Sequence, residues 1–189
     1  LPYLSTYYTY DMKLTKLPLV AALSLLVLSS NAWAQSTKRL IDEVNPFIGT
    51  SNFGTTNPGA VVPNGLMSIT PFNVSGSPEL NKFDKDKRWW STPYTADNKF
   101  FSGFSHVNLS GVGCPELGSI IISASAGDLD VDYTHYGSAM SEEKAHPGYY
   151  SVQLDKHKIK AEVTATQRTA VSSFTFERGG KSNILVNLG

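Results

Sequence analysis

Residues 159–166 read IKAEVTAT, and the side chains change character at every step. Ile159, Ala161, Val163 and Ala165 are apolar, whereas Lys160, Glu162, Thr164 and Thr166 are polar. A repeat of two is the β-strand repeat, because successive side chains project to opposite faces of a sheet. This strand therefore has one buried face and one wet face.

The same logic extends along the chain. Gly65–Phe72 alternates after the turn Pro63-Asn64-Gly65, and Ile120–Ile122 is a short apolar run between Gly118 and Gly127. Leu129–Tyr133 alternates again, and Tyr149–Leu154 follows the breaker Pro147-Gly148. Val171–Glu177 and Asn183–Leu188 flank Arg178-Gly179-Gly180-Lys181, which reads as a hairpin turn. Few segments favour helix: Ser141–His146 and Asp42–Val44 each read as one helical turn. Short strands at this spacing, with neither repeat nor linker, predict one all-β domain built as a β-sandwich.

The first residues have a different origin. Lys13 and Lys16 follow Met12, Leu17–Leu28 is apolar apart from Pro18 and Ser24, and Ala32-Trp33-Ala34 precedes Gln35. That order of positive, apolar and small residues is a secretory signal peptide spanning residues 12–34. As a membrane anchor the run is too short for a hydrocarbon core of roughly 30 Å. Residues 1–11 read as an upstream extension, so residues 35–189 carry the fold. The chain reaches Asn187-Leu188-Gly189 straight after a strand pattern, which reads as a sandwich truncated on its C-terminal side. Export implies a periplasmic or extracellular destination, with no membrane attachment after cleavage.

Sixteen basic residues balance sixteen acidic ones, giving no electrostatic reason to expect nucleic acid as a partner. A hydrophobic content of 41% suits a packed domain and excludes a disordered chain. Cys114 is the only cysteine, so no intrachain disulfide exists, and it reads as a small buried hydrophobe. No pattern of His, Cys and Glu supports a zinc site.

Three segments depart from plain sandwich. Asn45–Asn73 is dense in Gly, Pro and Asn and reads as a packed loop, with no Lys-Ser/Thr to make it a phosphate cradle. Lys82–Tyr94 carries adjacent Trp89 and Trp90 in polar surroundings. Neighbouring strand residues face opposite ways, so at most one of the two is core. The other either caps the sandwich edge or offers a flat ring to a sugar. Phe100–Gly118 places His106, Asn108, Ser110 and Glu116 among glycines that let a ligand approach closely. Alone, that stretch is equally a packed loop.

Read in order, these segments resemble the N-terminal domain of glycoside hydrolase family 92, the calcium-dependent α-mannosidases. The resemblance starts at Val44-Asn45-Pro46-Phe47-Ile48-Gly49-Thr50 and runs through Pro58-Gly59-Ala60 and Pro63-Asn64-Gly65-Leu66. Its strongest block is Gly103-Phe104-Ser105-His106, Leu109-Ser110-Gly111 and Gly113-Cys114-Pro115-Glu116-Leu117-Gly118. Pro147-Gly148-Tyr149-Tyr150 and Glu162–Arg168 complete it. Thr55, Asn57, Asn64, Asn108 and Glu116 depart from the residues usual at their positions, with His in place of Thr55 and Asn108 in many members.

The resemblance implies a galactose-mutarotase-like β-supersandwich followed by an (α/α)6 barrel, with the active site between them. It implies inverting hydrolysis of α-mannosides, which needs an acid and a base roughly 6.5–9.5 Å apart. Both would come from the barrel, so no catalytic residue is expected in this sequence. A calcium ion would bind sugar hydroxyls, with its ligands outside this sequence. Residues 35–189 would supply one wall of the pocket for a mannose-containing glycan, formed by Trp89, Trp90, His106 and Glu116. The alternative is a free-standing carbohydrate-binding sandwich without hydrolase activity.

Overall fold

The computed structural model describes residues 39–52, 54–74, 92–109, 118, 120–132 and 134–188. They fold as two antiparallel five-stranded sheets, as the strand patterns predict. The first sheet runs β1 (Ala60–Val61), β2 (Ser68–Phe72), β4 (Gly103–His106), β5 (Ile121–Ala126), β10 (Ser182–Asn187). The second runs β3 (Phe100–Phe101), β6 (Ser138–His146), β7 (Tyr149–Leu154), β8 (Ile159–Ala165), β9 (Ala170–Phe176). A 3-10 turn at Leu40–Glu43 precedes them, overlapping the helical turn expected at Asp42–Val44.

β8 behaves as its alternation requires. Ile159, Ala161, Val163 and Ala165 are buried and Lys160 and Thr164 are exposed. Its partners continue the apolar row: Leu154 and Phe176 flank Ile159, Val152 and Phe174 flank Ala161, and Tyr150 and Ser172 flank Val163. Facing residues of an antiparallel pair share a side of the sheet, so the inner face is set by register.

The sheets are joined where the chain crosses between β3 and β4. Phe101 belongs to the second sheet and Phe104 to the first, yet their rings meet edge to face at 4.9 Å. Gly103 makes this crossing possible. Its φ is +151°, and a Cβ there would lie 2.3 Å from Ile121 Cγ2 and 3.0 Å from the Ile122 carbonyl oxygen. The front of the stretch Phe100–Gly118 is therefore sandwich, not loop.

Three further expectations are corrected. Ser141–His146 is strand, part of β6, because β7 pairs with it on both sides of a bulge between Ser141 and Lys144. The helix-favouring Glu142-Glu143-Lys144-Ala145 is overridden by that pairing. Arg178–Lys181 does not close a hairpin: β9 pairs with β8 and β10 pairs with β5, so the link passes from one sheet to the other. It is fastened by Gly127 N–H donating to the Lys181 carbonyl at 3.0 Å and by Lys181 Nζ on Asp128 at 2.7 Å. Residues 129–132 form no strand, and Leu129 and Val131 are exposed. There the Asp130 carboxylate accepts from Asp132 N–H, and the Asp132 carboxylate accepts from Thr134 N–H and Oγ1, so local bonds replace a ladder.

Phe104 is fully buried between the sheets. Phe104→Ala is expected to cost about 3–5 kcal/mol, read as a lower urea midpoint at unchanged slope.

Candidate functional site

His106 closes β4, opposite Ile69 of β2. Its Nδ1 lies 3.0 Å from the Ile120 carbonyl oxygen. A carbonyl only accepts, so Nδ1 carries the proton and Nε2 of the neutral ring keeps its lone pair. Among the described residues nothing bonds Nε2. The ring thus presents an acceptor of the kind that a hydroxyl group needs.

The backbone turns sharply after His106. Val107 has φ +56°, a left-handed conformation that costs a β-branched residue roughly 1–3 kcal/mol. Polar bonds hold it there. Val107 N–H donates to the Ser68 carbonyl at 2.9 Å, and Asn108 N–H donates to Ser68 Oγ at 2.7 Å. Asn108 Nδ2 donates to the Ser105 carbonyl at 3.0 Å, while Ser105 Oγ donates to Asn108 Oδ1 at 2.8 Å. Gly118 fits against this knot: with φ +89°, a Cβ on it would lie 2.5 Å from Asn108 Oδ1 and 3.2 Å from Ser105 Cβ.

A second polar knot secures the chain around residues 73–98. Asn73, Thr95 and Asn98 are fully buried. Asn73 Nδ2 donates to the Thr95 and Asn98 carbonyls at 2.8 and 2.9 Å, and Thr95 N–H donates to Asn73 Oδ1 at 2.8 Å. Asn73 N–H donates to the Pro93 carbonyl at 3.0 Å, so Asn73 and Pro93 are fastened together.

Beside this knot stands Glu143, turned inward by the β6 bulge. Ser141 pairs with Gln153 and Lys144 with Ser151, so Glu142 and Glu143 together oppose Val152. Glu142 takes φ +50° and faces solvent, which gives Glu143 the inner position. Tyr94 and Tyr150 hydroxyls donate to Glu143 Oε2 at 2.7 and 2.9 Å, and Lys99 Nζ donates to Oε1 at 2.8 Å. Burial first, then the Glu143 charge, pushes both phenols well above their ordinary value of 10.0.

Of the residues predicted to face a sugar, only His106 is among the described residues; Trp89, Trp90 and Glu116 lie outside them, as does Cys114. Asn73, the stem before the Trp pair, lies beyond Phe72, which pairs with Gly103, whereas His106 pairs with Ile69. The stem and His106 therefore sit at opposite ends of the β2–β4 ladder. The residues missed by sequence reasoning are Asn73, Asn98, Glu143, Ser68 and Ser105. Their signal was weak: polar side chains inside apolar stretches, without a spacing rule. Among the described residues no group of three or more His, Cys, Asp or Glu could hold a metal ion. No helix among them is long and apolar enough to cross a membrane.

Residues 43–189 match the glycosyl hydrolase family 92 N-terminal domain. An uncharacterized secreted glycosidase of Arthroderma benhamiae is 28% identical over 178 residues, covering 87% of this chain and 21% of its own. A family 92 α-mannosidase from Bacteroides thetaiotaomicron, solved with mannoimidazole, superposes with a TM-score of 0.69 at 29% identity. That match covers 80% of this chain and 20% of the mannosidase. A family 92 inverting mannosidase from the same organism gives 0.60 at 26% identity, over 81% of this chain and 20% of its own. The chain thus spans about a fifth of the length of these relatives.

Two predictions follow from the Glu143 cluster. Glu143→Ala leaves two buried phenols without their acceptor and is expected to cost about 2–4 kcal/mol by chemical unfolding. The neutral phenols also set a pH dependence. Both folded values lie above the unfolded value of 10.0, so the folded state holds protons that the unfolded state releases. Their contribution is complete below pH 10.0 and declines as pH rises beyond it. Spectrophotometric titration is expected to show two tyrosines ionising only as the fold is lost.

Proposed function

This chain belongs to glycosyl hydrolase family 92, and we propose that it forms the substrate-facing N-terminal part of an exported, inverting exo-α-mannosidase. The observation that carries the reading is the family match over residues 43–189, supported by solved relatives that are mannosidases. The geometry agrees with a sugar-facing role. His106 offers Nε2 as an acceptor at the end of β4, where a mannose hydroxyl would donate to it. Trp89 and Trp90, in the segment fastened at Asn73 and Pro93 beyond the other end of the ladder, would supply stacking surface, and Glu116 a further acceptor.

The acid and base would come from a helical barrel domain encoded beyond this sequence, as would the ligands of the calcium ion. One feature of the sandwich favours further polypeptide against it. Ile184 pairs with Ala124, a core residue, and Val186 pairs with Ile122, yet Ile184 and Val186 are 56% and 59% exposed. Apolar groups on the core side of β10 await a covering layer. Export through the signal peptide of residues 12–34 fits the secreted relative.

The test is to express the reading frame continued past Gly189 and assay α-mannoside hydrolysis. Mannose release with inverted anomeric configuration by NMR is expected, abolished by chelation and restored by calcium. A folded full-length product that cleaves no α-mannoside, or retains configuration, overturns the reading.

A further inference from the structure

The strained Val107 directly follows His106: its N–H is held by the Ser68 carbonyl, and the side chains of Ser68, Ser105 and Asn108 tie the backbone on either side of it. At this φ glycine or asparagine is the low-cost choice, so a β-branched valine here is held against its own preference. We propose that Ser68, Ser105 and Asn108 are positioning residues for His106, fixing its ring in the Nδ1–H tautomer so that Nε2 faces the ligand as an acceptor. This rests on the sugar-facing role given to His106 above.

Geometry carries it in two links. The clasp first fixes the backbone that leaves His106: Val107 and Asn108 both donate to Ser68, and Asn108 bonds Ser105 in both directions. The same Asn108 and Ser105 side chains then form the floor under Gly118, with no room for a Cβ. Gly118 leads two residues later to Ile120, whose carbonyl accepts from His106 Nδ1. One set of side chains thus places both the ring and the acceptor that selects its tautomer. Free imidazole carries its proton on either nitrogen, so an acceptor held at Nδ1 decides which nitrogen meets the ligand.

The titratable and polar groups facing the ring are few. Among the described residues the Ile120 carbonyl is the one hydrogen-bond partner of His106, and no described carboxylate or cation pairs with it. Among the described residues, that carbonyl alone selects the tautomer of the ring.

The experiment uses the chain labelled with 15N-histidine, with His106→Gln assigning its signal among the four histidines. In the unsubstituted protein the His106 Nδ1 shift is expected in the protonated range and Nε2 in the unprotonated range. Asn108→Ala is expected to exchange those shifts, and to weaken methyl α-mannoside binding about fivefold, as the loss of one hydrogen bond does. Should Asn108→Ala not fold, Ser105→Ala is the milder probe, expected to move the shifts in the same direction. Val107→Gly relieves the strain but keeps the clasp, so it is expected to leave the tautomer unchanged and the melting temperature equal or higher. A folded Asn108→Ala or Ser105→Ala protein that keeps the Nδ1–H pattern overturns the proposal, as does a Val107→Gly protein that loses it. Exchange of the shifts in a protein that binds no mannoside upholds the positioning and removes the sugar-facing role instead.

Discussion

Phe104 meets Phe101 and Tyr150 edge to face, at 4.9 and 6.1 Å, and lies tilted against Phe174 at 6.3 Å. Those three rings come from β3, β7 and β9, all in the opposite sheet. A single side chain of the first sheet thus packs against three strands of the second. Aromatic pairs in these arrangements stabilise beyond the area they bury. The contact also fixes where His106 must be, because β4 has only Ser105 between the two residues. Alternation then puts Phe104 and His106 on one side of the strand, with the ring in the core and the imidazole at the open end. The core and the site are two ends of one register.

The polar knots solve a problem that the aromatic core creates. Chains that leave a sandwich edge carry backbone groups that need partners away from water. At one end the buried Asn73, Thr95 and Asn98, where Asn98 Oδ1 alone lacks a partner among the described residues, bond one another. At the other, Ser68, Ser105 and Asn108 do so beside His106. Short amide and hydroxyl side chains suit both places, since they keep donors and acceptors close to the backbone and so tie together segments distant in sequence, Asn73 to Thr95 and Asn98, and Ser68 to Asn108. The inward Glu143 differs in kind. It is a carboxylate 10% exposed, made tolerable by two phenol donors and the Lys99 ammonium.

Legibility followed the range of the interaction. β7 and β8 lie where alternation and the Pro147-Gly148 turn put them, because local pattern decides them. β6 runs against its local preference: Glu142, Glu143 and Lys144 favour helix alone, and only pairing with β7 makes them strand. The hairpin expected at Arg178–Lys181 failed for a related reason: glycines permit a turn but do not say which sheet receives the next strand. β5 receives it, and β5 lies some sixty residues earlier in the chain. Glycine-rich surroundings single out His106 as a candidate, but not the Ile120 carbonyl that its ring meets, which has no side-chain signature, nor Ser68, which holds Asn108 from another strand.

Asn108 stands out in the sequence as a polar group among glycines and, through the resemblance, as a departure from a histidine, and the structure gives that departure a physical content. A histidine here would have a ring where the amide now donates to the Ser105 carbonyl and accepts from Ser105 Oγ. An imidazole offers one donor and one acceptor on opposite sides of a ring, whereas the amide offers both from adjacent atoms. The two-way bond to Ser105 therefore suits asparagine. A second histidine would put another aromatic ring at this end of the β2–β4 ladder; with Asn108 that bonding capacity is turned inward onto Ser105 and Ser68. In the sugar-facing role proposed for His106, its ring then acts without a neighbouring imidazole at position 108, which makes the identity of its unprotonated nitrogen matter more than it would beside a second ring.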